Sequence, residues 1–366
     1  MGKNLYTASS QWANRPDDER FKSLASLLRY AKLKRERARY KVVLFDDFGV
    51  EADGDDVIMT KGRSKIKFTN WSFAQFCARM KVPPKFLSEL PAELAVDVLR
   101  FRLQEREDAE DERESRVLFD FDKGDFTVRA FNGSRYTRVW DYQVVESLMG
   151  LTAKGWDVPP AYAGGTFGGE KIKGQSGLYC GDRDCFIFMV NEENRINDGT
   201  DEGLARGFFV SNSEVGAGSW AITTFLYAYV CGNHIVWGVE DVKHIKVRHV
   251  GDADTKVMDS LATQLGLYAE QSPKAIESSI KKAKEFDLAA SDEEVEDLIF
   301  KLRILPRKVV RAALEDATEH ESIYGASPWS AWGLSQGVTR VSQREDFADS
   351  RVRVDQATDK ILALVS

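Results

Sequence analysis

Apolar positions are densest between Gly207 and Gly238, in the string GFFVSNSEVGAGSWAITTFLYAYVCGNHIVWG. Phe208, Phe209 and Val210 precede a polar, Gly-containing insert from Ser211 to Ser219, and Trp220, Ile222, Phe225, Leu226, Tyr227, Tyr229, Val230, Ile235, Val236 and Trp237 follow it. β-branched and aromatic residues flanking glycines predict two or three buried strands joined by turns in which backbone approaches closely. A surface loop would not need so much apolar flanking.

Upstream, residues 18–41 set Phe21, Leu24, Leu28 and Ala31 on one helical face, widened by Leu27. Cations crowd the C-terminal half of this helix, Lys34 and Arg35 among them, and read as a solvated helix end, with a phosphate-contacting arm as the sharper alternative. Val42 to Phe45 and Val57 to Met59 bracket an acidic, Gly-containing loop, which predicts strand, turn, strand. Thr69 or Asn70 caps a helix carrying Phe73, Phe76, Cys77 and Met80, which Pro83 and Pro84 end. A short helix covers Lys85 to Leu90, and Pro91 opens another that reaches about Leu103. Glu105 to Glu114 is charged everywhere except Ala109, and a domain boundary is expected there. A hairpin follows around Asp122-Lys123-Gly124, then a helix from Asp141 to Met149. Leu178 to Cys180 and Cys185 to Val190 are strands about the turn Gly181–Asp184. From Asp252 onward, helices are predicted over 252–271, 272–286, 291–302 and 307–320, with a last one ending near Leu364. The fold class expected is α+β: a mixed N-terminal region (1–115), a largely antiparallel β core (116–250) and a helical C-terminal region (251–366).

The chain has 366 residues, 43% hydrophobic and 30% charged, with net charge −7, so any attraction to nucleic acid must be regional. No apolar run is long enough to span a bilayer, and Met1 to Leu5 opens no signal-peptide pattern, so a cytoplasmic protein is expected. The four cysteines are then reduced thiols.

Four stretches, VPPKFLSELP, RAFNGSRYTRVWDYQVVESL, the central string and SPWSAWGLSQGVTRVSQREDFADSR, resemble the phage- and plasmid-borne family of domain of unknown function 932. The resemblance implies a shared fold and a mobile-element origin, and points to work on phage or plasmid DNA. It transfers no catalytic residue.

The chemistry visible in the residues is of five kinds. Cys180 and Cys185 face each other if Gly181–Asp184 is a hairpin loop, and Cys231 with His234 could complete a zinc tetrahedron; apolar packing of each thiol is the preferred reading, so no metal and no cofactor is expected. Cys231 and His234 are too close in sequence to make a catalytic dyad. Asn212, Ser213 and Glu214 beside Gly216 and Gly218 could present donors to a ligand, or could satisfy the turn itself. Gly164-Gly165-Thr166-Phe167-Gly168-Gly169 lacks the lysine of a phosphate loop and reads as a hairpin tip. Finally, Arg135, Tyr136 and Arg138, with Lys243, Lys246 and Arg248 near Trp237, mix cations and rings as single-strand binders do. The leading expectation is a DNA-metabolism protein that binds single-stranded nucleic acid and assists recombination or annealing as a homo-oligomer. An enzyme or small-ligand binder using the 212–218 insert, and a protein acting on host machinery, are the alternatives.

Overall fold

Strands gather into two large sheets and helices fill the C-terminal part of the chain, the α+β class that the alternating and 3.6-periodic segments predict. The computed structural model describes residues 16–366 apart from 106–113, 123, 160–165, 168–169, 172–176, 201–202, 229–232, 236–243, 257–264, 266–267, 269–271, 345–347 and 366. In order come β1 (Arg20–Phe21), α1 (Leu24–Arg37), β2 (Ala38–Leu44), β3 (Gly49–Asp53), β4 (Asp56–Lys61), β5 (Ser64–Phe68), α2 (Asn70–Arg79), α3 (Pro84–Ser88), α4 (Ala92–Gln104), β6 (Glu114–Asp122) and β7 (Asp125–Gly133). Next are α5 (Asp141–Met149), β8 (Trp156–Asp157), β9 (Thr166–Phe167), β10 (Glu170–Lys171), β11 (Leu178–Cys180), β12 (Cys185–Ile196), β13 (Leu204–Asn212), β14 (Trp220–Ala228), β15 (Asn233–Ile235) and β16 (His244–Val247). The helices α6 (Pro273–Glu285), α7 (Asp292–Lys301), α8 (Arg307–Glu319), α9 (Glu321–Tyr324), α10 (Ala331–Ser342) and α11 (Ala348–Leu362) complete the chain.

The first sheet has the order β2-β6-β7-β5-β4-β3, and its β5/β7 pair is parallel. Phe73, Phe76 and Cys77 of α2 and Val96 and Leu99 of α4 pack with Val117, Val128 and Phe131 of the sheet. Ser23 caps α1 and Thr69 caps α2, each accepting a backbone N–H three residues on. The helix expected through Lys41 stops at Arg37, because residues 38–44 instead pair with β6 from Ala38↔Asp120 to Leu44↔Glu114. The boundary expected after residue 115 falls inside this sheet: β6 and β7 are bonded to strands on its N-terminal side, so the unit runs from 38 to 133.

The second sheet runs β1-β11-β12-β13-β14-β15, with β8 added to β12 and β16 to β14. Its central strand β13 is buried at every position but Ser211, as the apolar string requires. Gly207 lies opposite Phe225, and a Cβ there would stand 2.2 Å from the Phe225 ring, so only glycine lets the ring cross the strand. On one face lie Phe208, Val210 and Ile222 with α1 and α5; the C-terminal helices pack against Ile196, Leu204 and Leu226. The short strands β9 and β10 pair antiparallel, as a hairpin centred on the Gly-rich segment should. The helix expected over 252–271 falls mostly outside the described residues. Among the described residues no helix is long and apolar enough to cross a membrane.

Ala38, Leu118 and Ala130 of the first sheet meet Val215, beyond β13, with Trp71 and Trp140 packed against them. This seam between the sheets holds the chemistry of the molecule.

Candidate functional site

Four charged side chains, Lys34, Arg129, Asp141 and Glu214, reach the seam from two helix ends, a strand and a turn. Lys34 follows Leu24, Leu27 and Ala31 on the buried stripe of α1 and sits in that helix's last turn. Asp141 opens α5 on the stripe of Val144, Val145 and Leu148. The negative end of one helix dipole and the positive end of another therefore favour the charges they carry. Lys34 Nζ donates to Asp141 Oδ2 at 3.1 Å and to the Gly181 carbonyl at 2.8 Å, and lies 3.6 Å from Glu214 Oε2. Arg129 of β7 donates to Glu214 Oε2 at 3.3 Å, while Glu214 Oε1 accepts the Asp141 backbone N–H at 3.0 Å. Asn212 Nδ2 donates to Asp141 Oδ1 at 2.7 Å and to the Val139 carbonyl at 3.0 Å. Two cations and two carboxylates thus balance, and Lys34, the most exposed of them, is only 7% exposed. Buried charge is tolerated when it is paired and fully hydrogen-bonded, and removing one member is then expensive.

Burial and the neighbouring Glu214 push the Asp141 carboxyl up to about 6, against the pull of Lys34 and Asn212. Burial would raise Glu214 as well, but Lys34, Arg129 and the Asp141 amide outweigh it and hold that carboxyl below its usual range. For Lys34, burial opposes the charge, yet Cys180, Glu214 and Asp141 together keep the ammonium well above the ordinary lysine range. Cys180 Sγ lies 3.5 Å from Asp141 Oδ2 and 3.9 Å from Lys34 Nζ, and Cys185 is its register partner across β11 and β12. The ligand atoms of Asp141, Cys180 and Cys185 lie within 4.8 Å of one another, a spacing that could hold a metal ion. The Lys34 ammonium already stands beside two of those atoms, supplying the positive charge a metal would bring.

The sheet register also separates the zinc set considered from sequence. Cys185 faces Asn212, whereas His234 faces Tyr227, which faces Ala205; from residue 205 to 212 is seven positions along β13. At about 3.3 Å per residue that places the His234 backbone roughly 23 Å along the sheet from Cys185. Cys231 lies outside the described residues.

Beside this network, cations and rings alternate, with Arg138 and His249 buried and Tyr40 exposed. The Arg35 guanidinium lies 4.2 Å over the Trp140 ring, and that of Arg138 lies 5.6 Å from Trp140, 5.2 Å from Tyr40 and 5.2 Å from Tyr136. Tyr136 stacks on His249, centroids 5.2 Å apart and planes 15° apart. These contacts follow from backbone pairing: Tyr136 bridges Val250, Thr137 N–H donates to the His249 carbonyl at 2.9 Å, and Thr137 Oγ1 donates to the Gly251 carbonyl at 2.6 Å. The Tyr136 hydroxyl donates to the carbonyls of Ser213 at 3.1 Å and Glu214 at 3.3 Å, so the ladder rests on the buried network. Burial, with Arg138 adding to it, pulls the His249 imidazole down to about 4 although the Thr137 carbonyl favours its proton.

Of the residues that the sequence singles out for nucleic acid, Arg135, Lys246 and Arg248 are exposed and form no ion pair with a described residue. Arg138 is 6% exposed and works between rings, donating to Asn132 Oδ1. Lys243 and Trp237 lie outside the described residues. In the central insert, Asn212, Ser213 and Glu214 are buried and engaged internally, Ser213 Oγ donating to the Arg183 carbonyl at 2.6 Å and accepting the Ala217 N–H at 2.9 Å. Gly216 adopts φ +80°, and Gly218 faces open space. The turn uses these groups itself, which leaves a ligand few of them. Sequence reading took Lys34 and Arg35 as a solvated helix end or a phosphate-contacting arm, and passed over Arg129, Tyr40, Trp140 and the carboxylate of Asp141.

The family described as domain of unknown function 932 matches residues 131–363. The match starts at the end of β7, so it takes in Asp141, both seam cysteines, Asn212 and Glu214, and leaves Lys34, Arg129 and the stretch Val82–Pro91 outside. Neither a curated protein nor a solved structure matches the chain.

Proposed function

The chain belongs to the family of domain of unknown function 932, and from that premise we propose that it binds single-stranded nucleic acid along the seam. The observation carrying this reading is the union of two basic segments more than a hundred residues apart: Tyr136–Val250 pairing and the Tyr136/His249 stack lay the segment of Arg135 and Arg138 alongside that of Lys246 and Arg248. Half-buried Trp140 and exposed Tyr40, at 38%, offer ring faces to bases, while Arg135, Lys246 and Arg248 meet phosphates. Arg138, held between the rings, positions them. The net charge of −7 then matters little, because screening confines the attraction to this patch. Work on phage or plasmid DNA in the cytoplasm, in annealing or recombination and as an oligomer, is the setting that suits such a sequence-tolerant surface.

Fluorescence anisotropy with a labelled single-stranded oligonucleotide across a salt series tests the proposal. Binding should weaken steeply as salt rises, and the Arg135→Ala/Arg248→Ala pair should flatten the log–log slope by about 0.7 per lost phosphate contact. No detectable binding by the wild-type chain at low salt sinks the reading.

A further inference from the structure

The turn Gly181–Asp184 sets Cys180 and Cys185 in a defined relation. Gly181 N–H donates to the Asp184 carbonyl at 2.9 Å and Phe188 N–H to the Gly177 carbonyl at 2.8 Å, so 181/184 and 177/188 are hydrogen-bonded pairs of the ladder. Alternation then makes Cys180/Cys185 a non-hydrogen-bonded pair. Such pairs bring Cα atoms to about 4.5 Å and Cβ atoms closest together, within the range a disulfide accepts. The two sulfurs lie within 4.8 Å of each other. Cys180 also has the two neighbours that thiol oxidation needs: the Asp141 carboxylate at 3.5 Å as proton acceptor and the Lys34 ammonium at 3.9 Å to stabilise a thiolate. Cys77, buried among apolar side chains with its thiol pushed up to about 12 by that burial, has neither.

We propose that Cys180 and Cys185 are a redox-active dithiol, closed to a disulfide by hydrogen peroxide, with Cys180 as the attacking thiol and Lys34 and Asp141 as its positioning residues. Asp141 takes the Cys180 proton. The thiolate attacks one peroxide oxygen, the O–O bond breaks, and the hydroxide released takes the proton from Asp141 and leaves as water. Cys185 sulfur then attacks the Cys180 sulfenic acid; the S–S bond forms, the S–O bond breaks, and the departing hydroxide carries off the Cys185 proton as a second water. Two thiols lose two electrons and two protons, and one peroxide becomes two waters. Both sulfurs are at most 1% exposed, so a small oxidant arriving through local opening is the fitting one, and a protein disulfide is not. Lys34 and Asp141 are sequence neighbours of Arg35 and Trp140, so the sulfur state borders the ring-and-cation ladder directly.

The test treats the reduced full chain with hydrogen peroxide and maps it without reductant. Trypsin cleaves after Arg183, between the two cysteines, so the disulfide appears as two joined peptides that separate on reduction. The linked pair should form at least about tenfold faster than any oxidation of Cys77. In Cys185→Ser, Cys180 should accumulate as a sulfenic acid trapped by dimedone. Oxidation of Cys180 and Cys185 no faster than that of Cys77, or conversion of each to sulfinic acid without a linked pair, overturns the proposal.

Discussion

Replacing Lys34 with methionine keeps the length and apolar stem of the side chain and removes its charge from a site 7% exposed. The change strips Asp141 of a donor at 3.1 Å, the Gly181 carbonyl of one at 2.8 Å and Glu214 of a cation at 3.6 Å, leaving Arg129 as the remaining charged partner of Glu214. Breaking a buried pair by removing one partner costs about 3–5 kcal/mol, and that is the loss expected near neutral pH. The sign of the pH dependence follows from Asp141. Its folded carboxyl is already raised to about 6, and without the ammonium it rises further, so the folded variant holds a proton that the unfolded chain has released. Stability of the variant therefore increases as pH falls, by about 1.4 kcal/mol for each pH unit over which that extra proton is held. Denaturant unfolding of both proteins at pH 8 and pH 5, with Lys34→Met/Asp141→Asn as the rescue, reads this directly. A loss under about 1 kcal/mol, or one that is the same at both pH values, refutes the account of Lys34 as the counter-charge of the seam.

His249 is held near 4, below the ordinary value, so the unfolded chain gains a proton that the folded one refuses as pH falls from about 6.5. His249→Gln should thus gain up to about 2 kcal/mol relative to wild type between pH 7.5 and 5, measured by chemical unfolding; an unchanged difference between the two proteins contradicts the burial of that ring. A Cβ at Gly337 of α10 would stand 2.1 Å from the Ala313 carbonyl oxygen of α8, so Gly337→Ala should cost about 1–3 kcal/mol in a thermal melt. Gly150→Ala, which meets nothing within 4 Å, serves as its control and should stay within about 0.5 kcal/mol.

Much of the architecture was legible because periodicity carries it: the β13 string, the hairpin of β6 and β7, and the C-terminal helices all follow from residue spacing. The partition at residue 115 was not, since strand pairing across 70 residues, as between β2 and β6, leaves no local trace. Lys34 is the instructive case at the seam. Its place on the stripe of Leu24, Leu27 and Ala31 was readable, but six neighbouring cations made a solvated helix end the natural inference, and its carboxylate partners come from residues 141 and 214. The ring-and-cation ladder was half visible, as two basic segments. Their meeting depends on the Tyr136–Val250 bridge, which composition does not encode.

The network at the seam also has an order of arrival. Every strand of the first sheet lies between residues 38 and 133, so that sheet has all its partners before α5 is made. Lys34 precedes Glu214 by 180 residues (214 − 34), which at about 5–20 residues per second is roughly 9–36 s of synthesis. Through that interval α1 carries a lysine and an apolar stripe whose partners in β11, β12 and the 212–215 turn do not yet exist. The nascent chain therefore passes through a stage in which its N-terminal sheet can be complete while the helix beside it is still waiting, and that helix is the segment a chaperone would meet.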